Sequence, residues 1–258
     1  MAESQFETRQ LQVVTDLRVF APFYGAPYKV MQRLLTGEQD GQKVDFTRLP
    51  INVSKLEQVR LGRLGTEADK QELRKTYVHT ATLILPDPKS NALMTVPEHP
   101  LVYLLSGNTR LEDGKLPITR DMYEASRKLP YSFEFSAEQV NALGNRPYDL
   151  PKVRRAAWES WNCGDTELTD AYIIDVEKSI GYKFKDAMGR FISESKGGRL
   201  LCVGVVDGDS GSDAGGDFSI NSDGSKLFGE VAEPQDVARK IEKAKNWVRQ
   251  FPGLEERL

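Results

Sequence analysis

The chain is short of the residues that most often carry chemistry. It has two cysteines, Cys163 and Cys202, in unlike contexts. That is too few for a disulfide framework and implies reduced thiols in a cytoplasmic protein. Histidine is as scarce, with only His79 and His99, which leaves little for a Ser-His-Asp triad or a His-rich metal site. Neither charge sign is in excess: 35 Lys and Arg stand against 38 Asp and Glu, for a net charge of −3. A dedicated nucleic-acid binder carries a basic surplus, so the balance leaves room only for a local basic groove. No apolar run approaches the ~18 residues of a membrane span. The opening MAESQFETRQ has acids and no apolar core, so neither a secretory signal nor a membrane location is expected. Walker A, G-x-G-x-x-G, G-x-S-x-G and C-x-x-C patterns do not occur.

What is present is ordinary for a globular chain: 258 residues, 39% hydrophobic and 28% charged, enough to bury a sizeable core. Strands are expected where β-branched and aromatic residues run together, at 11–23, 77–85, 101–105, 200–206 and 226–231. Helices are expected where a cap precedes an apolar stripe. Pro27 opens 28–35 and Ser54 caps a helix to 64. Thr66 caps the next, Thr119 one to 129, and Ser136 with Gln139 forms a capping box. Pro151 opens 152–161, helices follow at 169–180 and 184–192, and Glu233-Pro234 begins the last. In that last helix Val237, Ile241, Ala244, Val248 and Phe251 form one inward stripe. Residues 86–100 carry four prolines and read as a loop, a domain boundary or a surface arm. Leu111-Glu112-Asp113-Gly114 reads as a tight turn. The fold expected is a single α+β domain over 1–258. Its mostly antiparallel sheet draws strands from both ends of the chain, a helical insertion fills 119–193, and the C-terminal helix packs on the sheet.

The stretch with the most chemical potential is residues 199–217, RLLCVGVVDGDSGSDAGGD. An apolar strand empties into a loop that holds Asp207, Asp209, Asp213 and Asp217 among glycines and serines. These four carboxylates are the candidate ligands of a divalent cation, Mg²⁺ or Ca²⁺, because such ions take hard oxygen donors. Asp207 and Asp209, placed after the strand as D-x-D, resemble the first motif of haloacid-dehalogenase-type phosphatases. That resemblance implies metal-dependent action on phosphate esters. In the family this motif opens its domain; here it stands near the end of the chain, and no Lys-plus-acid pair is well placed after it. As an EF-hand loop from Asp207, the sixth position would be Ser212 and the twelfth Phe218, where Gly and Glu belong. The same Gly-Ser-Asp composition is also what a solvated hairpin turn favours.

Two further runs carry possible sites. Gly107-Asn108-Thr109-Arg110 after an apolar run resembles the G-[HN]-x-R loop of ParB-like nucleotide-binding domains, in which backbone and Arg hold phosphates. Here Glu112-Asp113-Gly114 stands where the family has an alanine-rich helix. Residues 146–161 interleave Arg146, Lys152, Arg154 and Arg155 with Tyr148, Trp158 and Trp161. That pattern can grip single-stranded nucleic acid by phosphate contact and stacking. Helical phase instead puts Val153, Ala157 and Trp161 on one inward face and leaves the bases solvated. His99, in the proline-rich segment, reads as exposed, and Cys163 at a helix C-terminus gains no acidity from its position.

The leading expectation is a non-catalytic structural or binding subunit of a larger assembly, with a protein partner or self-association. One alternative is a metal-dependent enzyme acting on phosphate esters or nucleotides through Asp207 and Asp209. The other is a nucleic-acid-binding subunit using Arg146, Lys152, Arg154 and Arg155.

Overall fold

A computed structural model of the chain describes residues 20–39, 42–43, 47–140, 150–186, 188–191, 197–207, 212–215 and 226–258. The first elements are β1 (Phe20–Tyr24), α1 (Pro27–Thr36), the small hairpin β2 (Glu38–Gln39) and β3 (Gln42–Lys43), β4 (Thr47–Pro50), α2 (Val53–Arg60) and α3 (Glu67–Arg74). Next come β5 (Val78–Pro86), β6 (Leu93–Val96), a 3₁₀ turn (Pro100–Leu104), α4 (Arg120–Ser126) and β7 (Phe133–Phe135). The chain then forms α5 (Pro151–Trp161), α6 (Thr166–Ile180), a 3₁₀ turn (Phe184–Asp186), β8 (Arg190–Phe191), β9 (Arg199–Val203), β10 (Ala214–Gly215), β11 (Lys226–Ala232) and α7 (Pro234–Val248).

Among the described residues nine strands make one sheet, ordered β1-β11-β5-β9-β10-β8, with β4 added to β11, β6 to β5 and β7 to β6. Strands from both ends meet in it: Phe20 pairs with Glu230 and Tyr24 with Lys226. The pairings are antiparallel except β11 with β5 and β10 with β8, so the fold is α+β with a mixed, mostly antiparallel sheet. Period-two alternation sends side chains to two apolar cores. Leu201 and Val203 of β9 and Phe228 of β11 join α2, α5 and α6 through Leu56, Trp158, Trp161 and Tyr172. Leu200, Leu83 and Leu227 join the opposite core, with Met31 and Leu34 of α1, Met122 of α4 and Trp247 and Val248 of α7. A sheet covered on both faces explains why β5 and β9 are buried along almost their whole length, without the alternation of a one-sided sheet. No helix among the described residues is long and apolar enough to cross a membrane.

Several local expectations change. The apolar run at 101–105 is the 3₁₀ turn, with Pro100 in its first position and the His99 ring accepting from the Leu101 N–H. Periodicity alone does not separate a short buried strand from a buried helical turn. The proline-rich segment is no arm throughout: β6 lies inside it, buried along its length, between β5 and β7. Its flanking prolines sit at strand ends, where a missing N–H breaks no ladder. Asn52, not Ser54, caps α2 by accepting from the Lys55 N–H at 2.9 Å. Within the expected helix at 184–192, Phe184–Asp186 form a 3₁₀ turn and Arg190–Phe191 form β8; residues 187 and 192 lie outside the described residues. The final helix docks with Val237, Ala244, Trp247 and Val248 inward.

Candidate functional site

The acidic loop begins from a rigid frame. Arg60 of α2 is fully buried and engages all five of its N–H donors. Nε donates to the Leu73 carbonyl, Nη1 to Tyr172 Oη and Ser212 Oγ, and Nη2 to the carbonyls of Thr76 and Gly204, over 2.7–3.1 Å. It thereby ties Gly204, where the strand ends, to Ser212 within the loop. Asp207 lies on the surface and accepts from Arg74 Nε at 2.9 Å. Arg74 also donates to Asp175 at 2.5 Å, to Ser179 Oγ at 2.6 Å and to the Arg60 carbonyl at 3.1 Å. The Asp213 carboxylate accepts from the Gly189 N–H. Burial pushes its pKa up to about 6, against that hydrogen bond and the field of Arg154. Asp209 and Asp217 fall outside the described residues. Among the described residues no three His, Cys, Asp or Glu side chains are grouped as a metal would need.

The basic run is divided by its helix. Lys152 is exposed at the start of α5. Arg155 is paired with Glu159 at 3.0 Å and with Asp170 at 2.5 Å. Arg154, expected in solvent, is 1% exposed and lies over the Phe184 ring, 4.6 Å from its centroid. The apolar core around Trp158 and Trp161 extends to that side of the helix and covers the guanidinium. Arg146 is outside the described residues. The Gly107–Arg110 segment is a turn closed on itself, with the Ser106 N–H donating to Thr109 Oγ1 at 2.9 Å. Its hydroxyls face the chain's last residues: Ser106 Oγ donates to the Leu258 carbonyl at 3.0 Å.

The scarce reactive groups have defined places. His99 is buried, not exposed. Its Nδ1 accepts from the Leu101 N–H, so Nε2 carries the proton toward Ser126 Oγ at 2.9 Å, and Ser126 donates onward to the Met122 carbonyl at 2.7 Å. In this tautomer the ring donates to serine rather than taking its proton. Burial holds the His99 pKa down to about 3. It also pushes the thiol of Cys202 up to about 12 and raises that of Cys163.

The concave site lies elsewhere. A cleft of about 610 Å³ opens between the turn at 86–93, the segment 112–118 and the start of β9, within the size range of ligand sites. Asp87 fastens the first wall. It accepts from the Lys89 N–H at 3.0 Å, Ser90 Oγ at 2.8 Å and Arg120 Nη1 at 2.6 Å. Burial by itself would raise this carboxyl; the hydrogen bonds from Arg120, Lys89 and Ser90 outweigh it and hold its pKa below the ordinary value. The second wall is the Asp113-Gly114 turn, with φ of 49° and 72°, the left-handed pair an Asp-Gly hairpin turn adopts. Glu112 and Lys115 exchange backbone hydrogen bonds at 2.9 and 3.0 Å across it. Leu116 then pairs with Gly198, also in both directions. Gly197, at φ +100°, is required there because a Cβ would stand 2.7 Å from that of Lys115.

Leu93, Leu116, Ile118 and Val140 line the cleft, with the buried Arg199 among them. Lys89, Glu112, Asp113 and Lys115 are on its walls, and none has an ion-pair partner among the described residues. The sequence marks both turns, through Pro86-Asp87-Pro88 and Asp113-Gly114. It gives no sign that they face each other, because the Leu116–Gly198 pairing joins residues far apart in the sequence. Comparisons with protein-family models, curated proteins and solved structures give no match for this chain.

Proposed function

We propose that the protein is a non-catalytic binding subunit and that the cleft between residues 86–93 and 112–118 receives a segment of a protein partner. The supporting observation is its construction. Two turns fastened by their own hydrogen bonds flank apolar residues, and four charged side chains on the walls have no ion pair inside the described fold. Walls fixed before binding lower the ordering cost of association, and uncommitted charges of both signs set orientation and reject wrong partners. Two reduced cysteines fit a cytoplasmic setting.

The test is native co-purification of the full chain, with light scattering to assign stoichiometry, followed by the double variant Lys89→Glu, Lys115→Glu. Loss of the partner at unchanged thermal stability supports the cleft. Retention of the partner moves the interface elsewhere. A phosphate-ester turnover that requires Mg²⁺ and disappears in Asp207→Asn, with the fold intact, would replace this reading with a metal-dependent enzyme. Salt-sensitive retention of oligonucleotide, lost in Lys152→Ala, would favour nucleic acid as the partner.

A further inference from the structure

Glu57 sits in the middle of α2 with no solvent exposure. The charged group on the same helix whose field reaches it is Arg60, but all five Arg60 donors go to Leu73, Thr76, Tyr172, Gly204 and Ser212. Among the described residues Glu57 has no salt bridge. Its Oε2 lies 2.5 Å from Asn162 Nδ2, the residue that ends α5. Its Oε1 has no partner among the described residues, and neither does Asn162 Oδ1. Asn162 also reaches Thr169 Oγ1 of α6 at 2.9 Å. One side chain of α2 is thus joined through one amide to the corner where α5 turns into α6.

An ionised carboxylate in this position would be a buried charge with one hydrogen bond and an orphan oxygen, which burial strongly disfavours. A neutral acid avoids that cost. The 2.5 Å separation is below the usual N–H···O range and at the short edge of the O–H···O range. Amide orientation is assigned from such networks. With the Asn162 amide turned over, a protonated Glu57 would donate to Oδ1, and the Thr169 hydroxyl would turn from the Asp165 carbonyl to donate to Oδ1 as well.

We infer that Glu57 keeps its proton at neutral pH and acts as a pH-sensitive joint between α2 and the α5–α6 corner, so that its ionisation loosens this contact. The titratable and charged groups whose fields reach it are Arg60 on its own helix and Tyr172 of α6. Burial is the main cause that raises its pKa well above the carboxylate range, against the Asn162 hydrogen bond and the Arg60 charge.

The folded state then holds a proton that the unfolded chain releases near pH 4.5. Above that pH, the folding equilibrium of the wild type should fall relative to Glu57→Gln by about tenfold per pH unit, until Glu57 ionises in the fold. Urea unfolding of both proteins at pH 5, 6, 7 and 8 reads this directly, and a difference that stays constant with pH overturns the inference. A second measurement needs no variant. In wild-type protein labelled with ¹³C at the glutamate carboxyls, one resonance should stand at the protonated position at pH 7. If every glutamate resonance stands at the carboxylate position, Glu57 is ionised and the inference fails.

Discussion

At the scale of single residues, two glycines separate the ways a missing side chain can matter. Gly229 lies in β11 where the strand passes under α1. A Cβ there would stand 2.6 Å from Leu34 Cδ2 and 2.9 Å from Arg48 Cβ. Gly181 ends α6 at φ +75° with nothing within 4 Å of a Cβ. The first position is closed by packing, the second only by backbone conformation. Gly229→Ala should therefore cost about 1–3 kcal/mol, as overpacking does. Gly181→Ala should cost about 1 kcal/mol for a left-handed alanine. Urea midpoints of the two variants check the order, and equal losses would mean that α1 yields to the new methyl without strain.

Arg74 shows the same economy between elements. It joins α3 to the loop stem through Asp207 and to α6 through Asp175 and Ser179. Its side chain is 10% exposed, whereas Asp207 and Asp175 are 36% and 30% exposed. Solvent screens the carboxylates, so Asp207→Asn should cost no more than about 1 kcal/mol. Arg74→Ala removes the largely buried partner of two acids and a carbonyl and should cost about 3 kcal/mol. Equilibrium unfolding distinguishes the two. A divalent cation bound at Asp207 would compete with the charge of Arg74 on its Oδ1, so a thermal shift with Mg²⁺ should be larger in Arg74→Ala than in the wild type. Elements of this kind were legible in the sequence to different depths. The helix start at Thr66, the Thr119 cap and the Ser136–Gln139 capping box are written in neighbouring residues and form as expected, Asp69 completing a box with Thr66 that was not foreseen. β6 was not legible, because four buried residues between prolines become a strand only when β5 and β7 are beside them. The cleft was half legible. Its turns are local, while the Leu116–Gly198 bridge that sets them face to face is not.

Across the whole molecule, buried titratable groups pull against one another. Burial holds His79 and His99 at about 4 and about 3, below the ordinary 6.5. Below pH 6.5 the unfolded chain takes up protons that these rings refuse, so their contribution is complete above that pH and fades on acidification. Asp213, raised from 3.8 to about 6, and Glu57, raised from 4.5, act in the opposite sense. The folded state holds their protons longer, so their contribution fades as pH rises through those windows. Between about pH 4.5 and 6 the two rings offset the two acids, and stability should be nearly level. Each group is worth up to about 1.4 kcal/mol per pH unit, so removing one should tilt the plateau. Asp213→Asn should make stability rise with pH across this range, and His99→Gln should make it fall. Above pH 6.5 the wild type should lose stability through Glu57 alone, a loss that Glu57→Gln removes. Urea midpoints at half-unit steps from pH 4.5 to 8 test all three together. If Asp213→Asn and His99→Gln both run parallel to the wild type, the plateau does not arise from these groups.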